Sequence, residues 1–266
     1  MYAVLISVYN STSISFFQQA YDSIIAQTLK PSSIHIVRDG TVNEKLESYI
    51  DTLVSSNVHV HKYENNQGLG FALNYGMRFI SEDFILRMDS DDISHPERAA
   101  ILYNEIVSTG KSVVGSNIVE FSSNIENVHS IIRYKQTVPP YSLKNYKRDP
   151  VGHASVIFKK ADVIKSGGYF SSLYFEDTYL WLRMSINGYS FNSINKNLYF
   201  ARTDSDFLLR RSGINYAVKE AINFLYFWSE GLISNKSLLL NLITRPFLRL
   251  LPLYFLKQIY LHFLRK

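Results

Sequence analysis

Residues 84–92 read Phe-Ile-Leu-Arg-Met-Asp-Ser-Asp-Asp, so a short apolar strand runs directly into three carboxylates. Carboxylates crowded at a strand end repel one another unless a cation lies among them. Mg²⁺ and Mn²⁺ prefer oxygen ligands, and Mg²⁺ takes one or two carboxylates together with phosphate oxygens and water. The stretch therefore predicts a metal site that clamps a diphosphate. The alternative is an acidic turn that caps the following helix.

Outward from this stretch, strands and helices alternate through the first 120 residues. Short apolar runs predict strands over Tyr2–Val8, Ile34–Arg38, Val58–Tyr63 and Phe84–Met88. Between them the pattern predicts helices over Ser15–Ala26, Glu44–Ser55, Gly70–Ser81 and onward from Pro96, where Ser94-His95-Pro96-Glu97 resembles a capping box. Such alternation predicts an α/β fold with a parallel sheet whose carboxyl edge faces a ligand.

Two other predicted strands also end in polar residues at this carboxyl edge. Val8-Tyr9-Asn10 closes the first strand, and Asp39 follows the second. An aromatic ring and a carboxylate there would stack on and hydrogen-bond a nucleobase. Asn66-Gln67-Gly68 precedes the third helix, where glycine lets backbone amides approach an anion or a ribose. Each of these residues taken singly also fits an ordinary loop.

Further candidates follow two later predicted strands, Val113–Phe121 and Ala154–Phe158. Gly167-Gly168-Tyr169 precedes Glu176-Asp177, which opens a predicted helix that carries Trp181. A carboxylate at this position would act as a general base that takes the proton of a sugar hydroxyl. The alternative is a helix cap that interacts only with the helix dipole.

Basic residues and histidines complete the set of candidates. Guanidinium groups in one short segment would cover a diphosphate or belong to a solvated loop: Arg202, Arg210 and Arg211. His153 lies in an unusual loop that we interpret as part of an acceptor site. His59 and His61 would share one face of a strand, but no third ligand has suitable spacing, which favours packing over zinc.

Charge and composition exclude several classes. Residues 231–266 contain six basic and no acidic residues, which leaves the preceding part with 22 basic and 23 acidic residues. That balance argues against nucleic-acid binding by the body. With no cysteine, disulfides, thiolate metal sites and cysteine nucleophiles are excluded, and a reducing cytoplasm is favoured. The first residues indicate a β-strand and not a signal peptide.

The C-terminal tail has the pattern of an interfacial helix. One face of a helix from residue 253 onward would be apolar: Leu253, Leu256, Ile259, Tyr260, Phe263 and Leu264. The opposite half carries Lys257, His262, Arg265 and Lys266. Because the longest uncharged stretch is too short to cross a bilayer, we predict peripheral attachment to the inner face of the cell membrane. The alternative is packing on the body or on a second subunit.

In this order the motifs resemble those of the family 2 glycosyltransferases. The elements that carry the resemblance span about residues 2–212: Val8-Tyr9-Asn10, Arg38-Asp39-Gly40, Asn66-x-Gly68, Asp89-Ser90-Asp91-Asp92, Gly152-His153-x-Ser155, Gly167-Gly168-Tyr169 and Glu176-Asp177. The resemblance implies the GT-A fold, with a nucleotide-binding half over residues 1–120 and an acceptor half over 121–230. Residues 231–266 then form the basic amphipathic helical tail.

The resemblance also implies roles for individual residues. Asp91 would bind Mg²⁺ or Mn²⁺ with Asp89 beside it, and Asp177 would be the base with Glu176 adjacent. The nucleotide-sugar donor would be bound by Val8, Tyr9, Asn10, Asp39, Asn66, Gly68, Asp89, Ser90, Arg210 and Arg211. The acceptor would be bound by His153, Gly168, Tyr169 and Trp181. Arg38 departs from the family pattern, since an acidic residue usually precedes Asp39.

The resemblance implies an inverting enzyme that moves one sugar from a nucleoside-diphosphate donor, with a UDP-sugar favoured, to a lipid-diphosphate-linked saccharide during bacterial O-antigen, capsule or exopolysaccharide assembly. The multi-span segments and the Gln-x-x-Arg-Trp signature of processive synthases are absent. A metal-dependent nucleotidyltransferase or nucleotide-sugar hydrolase and an inert scaffold of an assembly complex remain alternatives. The identity of the sugar, the nucleotide, the linkage and the oligomeric state stay open at this point.

Overall fold

The computed structural model describes residues 1–170, 175–203 and 207–259 of the chain. The described strands are β1 (Tyr2–Val8), β2 (Ser33–Asp39), β3 (Val58–Tyr63), β4 (Phe84–Met88), β5 (Ile93–Ser94), β6 (Val113–Phe121), β7 (Val128–Ile132), β8 (Thr137–Val138), β9 (Ile157–Lys159) and β10 (Phe191–Arg202). The described helices are α1 (Ile14–Ile25), α2 (Glu44–Thr52), α3 (Leu69–Met77), α4 (Arg98–Thr109), α5 (Lys160–Lys165), α6 (Glu176–Ile186), α7 (Phe207–Arg210), α8 (Ile214–Ser229), α9 (Asn235–Leu250) and α10 (Leu253–Ile259).

These strands form one mixed sheet in the order β3-β2-β1-β4-β9-β6-β10-β5, with β7 on β6 and β8 on β10. The first four strands in this order run parallel, so β1, β2 and β4 end at the same edge. β9 is antiparallel to both β4 and β6, and it joins the N-terminal strands to the later ones. The predicted α/β fold is confirmed, with a sheet that is parallel in its N-terminal half and mixed beyond.

Helices cover both faces of the sheet. On one face α1, α2 and α4 bury apolar residues such as Phe17, Leu46 and Leu102 against the sheet. On the other face α3 and α6 pack their buried residues, among them Ala72 and Leu180. Alternation along the strands divides their side chains between these two layers. The layers leave the carboxyl edge of the sheet as the place where loops gather.

The predicted capping box is wrong. Ser94 lies in β5, which pairs with β10, and helix α4 begins at Arg98. The Ser94 hydroxyl accepts a hydrogen bond from the Gln27 side chain at 3.2 Å instead of capping the helix. Arg98 is fully buried and donates to the backbone carbonyls of Arg87 and Ala154. A pairing with a distant strand has overridden a local sequence signal.

Other boundaries differ by a few residues from those predicted. Helix α3 ends at Met77 and not at Ser81, and α2 ends at Thr52. The strand predicted from Ala154 begins at Ile157, because His153–Ser155 form a 3₁₀ turn. That turn directs the His153 loop back toward α6.

The C-terminal helices α8 and α9 form a hairpin on the body, and the predicted domain boundary at residue 230 falls in the turn between them. Leu256 of α10 is fully buried, so at this position the predicted apolar face packs on protein, as in the alternative interpretation. The predicted face also includes Tyr260, Phe263 and Leu264, which lie outside the described residues. No helix in the described part of the chain combines the length and apolar character needed to cross a bilayer.

Candidate active site

The ends of β1 and β2 form the rim of the carboxyl edge. Val8 is buried as the last residue of β1, whereas Tyr9 and Asn10 are exposed beyond it. The Tyr9 backbone N–H donates to the Thr12 hydroxyl at 3.0 Å, which closes a tight turn, and Tyr9 as a whole is 48% exposed. An exposed aromatic ring at this edge has the position expected for a stacking surface.

Asp39 is buried at the end of β2, and its carboxylate is used within the protein. One oxygen accepts from the Tyr63 hydroxyl (2.9 Å) and the Gln67 N–H (2.7 Å). The other accepts from the Asn66 side chain (3.1 Å) and the Gly68 N–H (3.0 Å). A carboxylate has about four acceptor sites, and these bonds fill them. Asp39 therefore holds the loop over residues 66–68, and a contact with a base would need one of these bonds to break.

Arg87 and Asp89 form a bidentate ion pair at the end of β4. The two terminal guanidinium nitrogens lie 2.7 and 2.5 Å from the two Asp89 oxygens, and the Arg87 side chain is only 3% exposed. The Asp89 N–H donates to the Tyr199 hydroxyl at 3.2 Å. Paired guanidinium and carboxylate groups fix each other's geometry. Asp89 is thus held in one orientation at the floor of the cleft.

Asp91 and Asp92 differ in exposure. Asp92 is buried and accepts a hydrogen bond from the Arg202 N–H at 2.7 Å, while Ser90 lies buried beside it. Asp91 is exposed at the cleft. Partial desolvation and the neighbouring Asp89 carboxylate raise the pKa of Asp91 to about 6. No basic side chain among the described residues forms an ion pair with Asp91, so this carboxylate is open to a cation.

The described residues contain no group of three or more His, Cys, Asp or Glu side chains arranged to hold a metal by themselves. Magnesium, however, is usually held by one or two carboxylates with phosphate oxygens and water completing the shell. Asp91, with its raised pKa and open oxygens, fits such a partial shell. Asp89 is the adjacent oxygen donor, although Arg87 already engages both of its oxygens.

Helix α6 brings a second pair of carboxylates into the cleft. Phe175 precedes it in a left-handed conformation (φ 70°), and Glu176 and Asp177 occupy its first turn. Burial and the Asp177 charge raise the pKa of Glu176 to about 7. Burial also raises the pKa of Asp177, while the Thr178 N–H, which donates to it at 2.8 Å, and the charge of Arg87 act against the rise.

The predicted acceptor residues form a layer under this cleft. The His153 Nε2 and the Tyr169 hydroxyl lie 2.9 Å apart, and the Trp181 ring meets His153 edge-on at 5.9 Å. Trp181 and Tyr169 are buried. Burial, followed by the charge of Arg87, lowers the pKa of His153. Of this layer His153 is the least buried, so an acceptor role for Trp181 and Tyr169 would act through it.

The Gly167-Gly168 turn is held from two sides. The Arg183 guanidinium donates to the Gly168 carbonyl, and the Asn74 side chain bonds both to the backbone N–H (2.8 Å) and to the carbonyl of Tyr169. A Cβ on Gly168, whose φ is 64°, would meet the Asn74 side chain at 2.5 Å. This glycine therefore permits a close approach between the turn and α3.

The three candidate arginines separate in the structure. Arg202 lies beneath the acidic motif, where its guanidinium donates to the Asp91 carbonyl (3.0 Å), the Ser123 carbonyl and Gln19. Arg210 and Arg211 lie at and just after the end of α7, and the positive charge of Arg211 reaches Asp177. Residues 204–206 between these groups lie outside the described part.

The structure also shows a residue that the sequence did not single out. Asp149 accepts hydrogen bonds from the Thr178 hydroxyl (2.9 Å) and the Tyr146 hydroxyl (3.2 Å). Burial and the charge of Asp177 raise the pKa of Asp149 to about 7. Its only sequence signal was its place at the start of the loop that contains His153.

The histidines on β3 lie away from this cleft. His61 Nε2 is 2.9 Å from Nδ1 of His35, and the His35 and His59 rings are 5.1 Å apart. Phe79 stacks on His61 at 4.1 Å. Burial, followed by the neighbouring histidines, lowers the pKa of His35 to about 4. These side chains pack against one another and against Phe79.

A known protein family and several individual proteins match this chain in sequence. The family model described as Glycosyl transferase family 2 matches residues 3–163. The chain is 33% identical, over all its length and 97% of the relative, to the UDP-Gal:alpha-D-GlcNAc-diphosphoundecaprenol beta-1,3-galactosyltransferase of Escherichia coli. It is 32% identical, over 83% of each chain, to the amylovoran biosynthesis glycosyltransferase AmsE of Erwinia amylovora.

Among solved structures, the fold resembles residues 1–349 of TarS from S. aureus, determined in complex with UDP-GlcNAc. The TM-score is 0.65 at 15% identity, and the match covers 84% of this chain but only 65% of that one. At this identity the likeness shows the fold alone. Together with the family match it confirms the predicted GT-A fold.

Proposed function

We propose that this chain, which belongs to glycosyl transferase family 2 and is a glycosyltransferase, moves one sugar from a nucleoside-diphosphate donor to a hydroxyl of a lipid-diphosphate-linked saccharide. The proposed reaction inverts the anomeric carbon. The observation that carries the proposal is the meeting of two carboxylate pairs around Arg87. This buried cation pairs with Asp89, and its charge also acts on Glu176 and Asp177.

In the proposed mechanism Asp177 is the general base. The acceptor hydroxyl gives its proton to the Asp177 carboxylate while its oxygen forms a bond to the anomeric carbon. The bond from that carbon to the diphosphate breaks, and the electron pair leaves on the diphosphate. Attack from the face opposite the leaving group inverts the centre, and a carboxylate base of this kind contributes about 10²- to 10⁴-fold to rate.

The other residues bind and orient. Arg87 holds Asp89 at the floor of the donor site, and the loop fastened by Asp39 brings the Gly68 backbone to its rim. The exposed ring of Tyr9 offers a stacking surface for the base. When bound, Mg²⁺ or Mn²⁺ at Asp91, with Asp89 adjacent, would neutralise charge on the departing diphosphate.

The choice of substrates follows two similarities. The galactosyltransferase relative is named for UDP-galactose as donor and for a GlcNAc-diphosphoundecaprenol acceptor. The amylovoran and O-antigen relatives are named for the assembly of bacterial surface polysaccharides. We therefore favour a UDP-sugar donor and a polyprenyl-diphosphate-linked acceptor for this chain.

A lipid-linked acceptor also suggests where the protein works, and we propose that it docks on the inner face of the cell membrane. The outer faces of α8 and α9 carry apolar side chains that are 46–67% exposed: Ile214, Val218, Ile222, Leu225, Leu239, Ile243, Phe247 and Leu250. On each helix these exposed residues lie on the side opposite the buried residues that pack on the body. Contiguous apolar surface of this kind marks an interaction site.

Charge favours an anionic bilayer as the occupant of this surface. Of the six basic residues from residue 231 onward, Arg245 and Arg249 bind Glu220, and the other four, with no acidic residue in the same stretch, suit anionic headgroups. The hairpin also packs beside the cleft, since the Phe175 ring, just before Glu176, lies 6.0 Å from Tyr216 of α8. A docked hairpin would thus hold the acceptor side of the cleft near the membrane surface.

Calorimetric titration with UDP, TDP and GDP tests the donor site directly. We expect one nucleotide to bind in the presence of Mn²⁺ and to lose its affinity in EDTA. No binding of any nucleotide by folded protein would contradict the proposal, and binding that persists in EDTA would remove the metal from it.

Transfer is then measured with the matching nucleotide sugars and a synthetic α-GlcNAc-diphosphate lipid. Asp177→Asn should lower transfer by about 10³-fold because the base is lost, while nucleotide affinity stays near wild type. Asp162→Asn in α5, the same chemical change outside the cleft, is the control. Persistent transfer by Asp177→Asn would exclude this residue as the base, and sugar release without acceptor would identify a hydrolase.

A further inference from the structure

We infer that Asp149 is a positioning residue for the base: it fixes the carboxylate of Asp177 through the buried residue Thr178. The inference rests on the proposed role of Asp177. Asp149 belongs to the segment between β8 and β9, whereas Asp177 opens α6. The fold brings the two carboxylates together although they are far apart in the chain.

Thr178 connects the two acids through both of its donor groups. Its backbone N–H donates to Asp177 Oδ1 at 2.8 Å, and its hydroxyl donates to Asp149 Oδ1 at 2.9 Å. Thr178 itself is only 2% exposed. Because both bonds come from one buried residue, fixing Asp149 also fixes the first turn of α6 and the carboxylate of Asp177.

Asp149 is in turn held from the C-terminal hairpin. The Tyr146 hydroxyl donates to it at 3.2 Å, and Arg245 of α9 lies 3.5 Å from the same hydroxyl. Tyr146 is anchored by its carbonyl, which accepts from the side chains of Ser237 (2.8 Å) and Asn241 (3.2 Å). The position of Asp149 is thus set on one side by α6 and on the other by α9.

The charges around the pair determine how it titrates. Burial and the Asp177 carboxylate raise the pKa of Asp149 to about 7, which makes it the partner that holds a proton more readily. The titratable and charged groups of the described residues that act on the pair are Arg87, Tyr134, Tyr146, Tyr169, Glu176, Arg211 and Arg245.

During the reaction Asp177 is the carboxylate that takes the proton. The proton leaves the acceptor oxygen and forms an O–H bond on Asp177, so one negative charge is removed from the carboxylates as the diphosphate gains one. Asp149 does not touch the substrate. Through Thr178 it keeps the Asp177 carboxylate in the orientation that accepts this proton.

Two substitutions of Asp149 test the inference without any substrate. Asp149→Asn resembles the protonated carboxyl and keeps an acceptor for Thr178 and Tyr146, whereas Asp149→Leu offers no acceptor. The amide resonance of Thr178, which bonds to Asp177, is followed by ¹H–¹⁵N NMR as a function of pH, and Asp177→Asn identifies the transition that belongs to Asp177. We expect that transition to persist in Asp149→Asn and in the control Asp162→Asn, and to be lost in Asp149→Leu because the bond between Thr178 and Asp177 is no longer fixed. A wild-type transition in Asp149→Leu would overturn the inference.

Kinetics supply a second measurement. In Asp149→Leu, kcat should fall by about tenfold while KM for the nucleotide sugar stays constant, and Asp149→Asn should restore most of the loss. A purely structural residue would change kcat and KM together. If Asp149→Leu does not fold, Thr178→Val breaks the same link, and wild-type kcat in that variant would contradict the inference. Full activity of Asp177→Asn would instead refute the base assignment.

Discussion

Two sets of carboxylates in this molecule, one fully buried in the C-terminal hairpin and one half-buried in the cleft, have opposite environments. In the hairpin, Glu220 has no exposed surface, and Arg245 and Arg249 donate to it at 2.8, 2.9 and 3.2 Å. In the cleft, Glu176 and Asp177 lie side by side, and neither forms an ion pair among the described residues. In the hairpin the two arginines neutralise the charge of Glu220. In the cleft the carboxylates of Glu176 and Asp177 remain available to a ligand or a proton.

The difference is visible in their acidities. Burial alone would raise the pKa of Glu220, but the hydrogen bonds and charges of Arg249 and Arg245 lower it. Burial and the Asp177 charge raise the pKa of Glu176 to about 7, opposed by a backbone hydrogen bond and by the charge of Arg87. A buried acid with its own cations stabilises the fold. A half-buried acid in a cleft without such cations is placed for binding or proton transfer.

The largest effect on stability should come from Glu220→Ala. It leaves two arginines of the hairpin without their acceptor, and breaking a buried pair from one side costs about 3–5 kcal/mol. Urea denaturation measures the loss in unfolding free energy. Glu230→Ala, at the exposed end of α8, is the matched control and should change that free energy by less than about 0.5 kcal/mol. Equal effects of the two substitutions would show that the ion pair is not structural.

Glu176→Gln should have a smaller effect on the unfolding free energy, with a pH dependence opposite to that of the Glu220 site. Because the pKa of Glu176 is raised to about 7 in the fold, the native state keeps a proton that the unfolded chain loses above about pH 4.5. Stability from this site therefore falls as pH rises between 4.5 and 7. Glu176→Gln should remove about 1–2 kcal/mol of that fall, after allowance for solvent screening.

The measurement is urea denaturation at pH 4.5 and pH 7.5 for wild type and variant. For Glu220 the sign is reversed, since its lowered pKa gives stability that is present above pH 4.5 and lost as pH falls. If Glu176→Gln is no more stable relative to wild type at pH 7.5 than at pH 4.5, the contrast between the two sets fails.

The smallest effect on stability should come from the outer face of the same hairpin. Ile222→Glu and Phe247→Glu lie on exposed stripes and should change the unfolding free energy by about 0.5 kcal/mol or less. They should nevertheless abolish sedimentation with phosphatidylglycerol vesicles, while Val107→Glu on the exposed face of α4 retains it. A concentration-dependent dimer that both substitutions disrupt, without vesicle binding by wild type, would identify a second copy as the occupant.

Much of the cleft could be predicted from the sequence because its residues follow regular strands. Short apolar runs located β1, β2 and β4, and residues that directly follow neighbouring parallel strands gather at one edge of the sheet. The acidic residues after β4 were found in this way. The start of α6 was found by its paired carboxylates before an apolar helix.

What could not be predicted depends on contacts between distant segments. Asp149 precedes an irregular turn, and only the packing of α6 brings it to Asp177. The acceptor sites of the Asp39 carboxylate are filled only because the loop at residues 66–68 folds over it. The capping box failed because β5 found a partner in β10, which no local pattern records.

The place of Tyr146 between the hairpin and the cleft bears on how this enzyme can evolve. Its carbonyl is held by the inner face of α9, and its hydroxyl reaches Asp149. We therefore expect the inner face of α9 to change slowly among descendants, while the outer face drifts with the lipids of each host. A chimera that exchanges whole C-terminal tails between such enzymes would disturb the position of Asp149 and lower activity. A variant that changes only the outer residues of the hairpin would keep its activity.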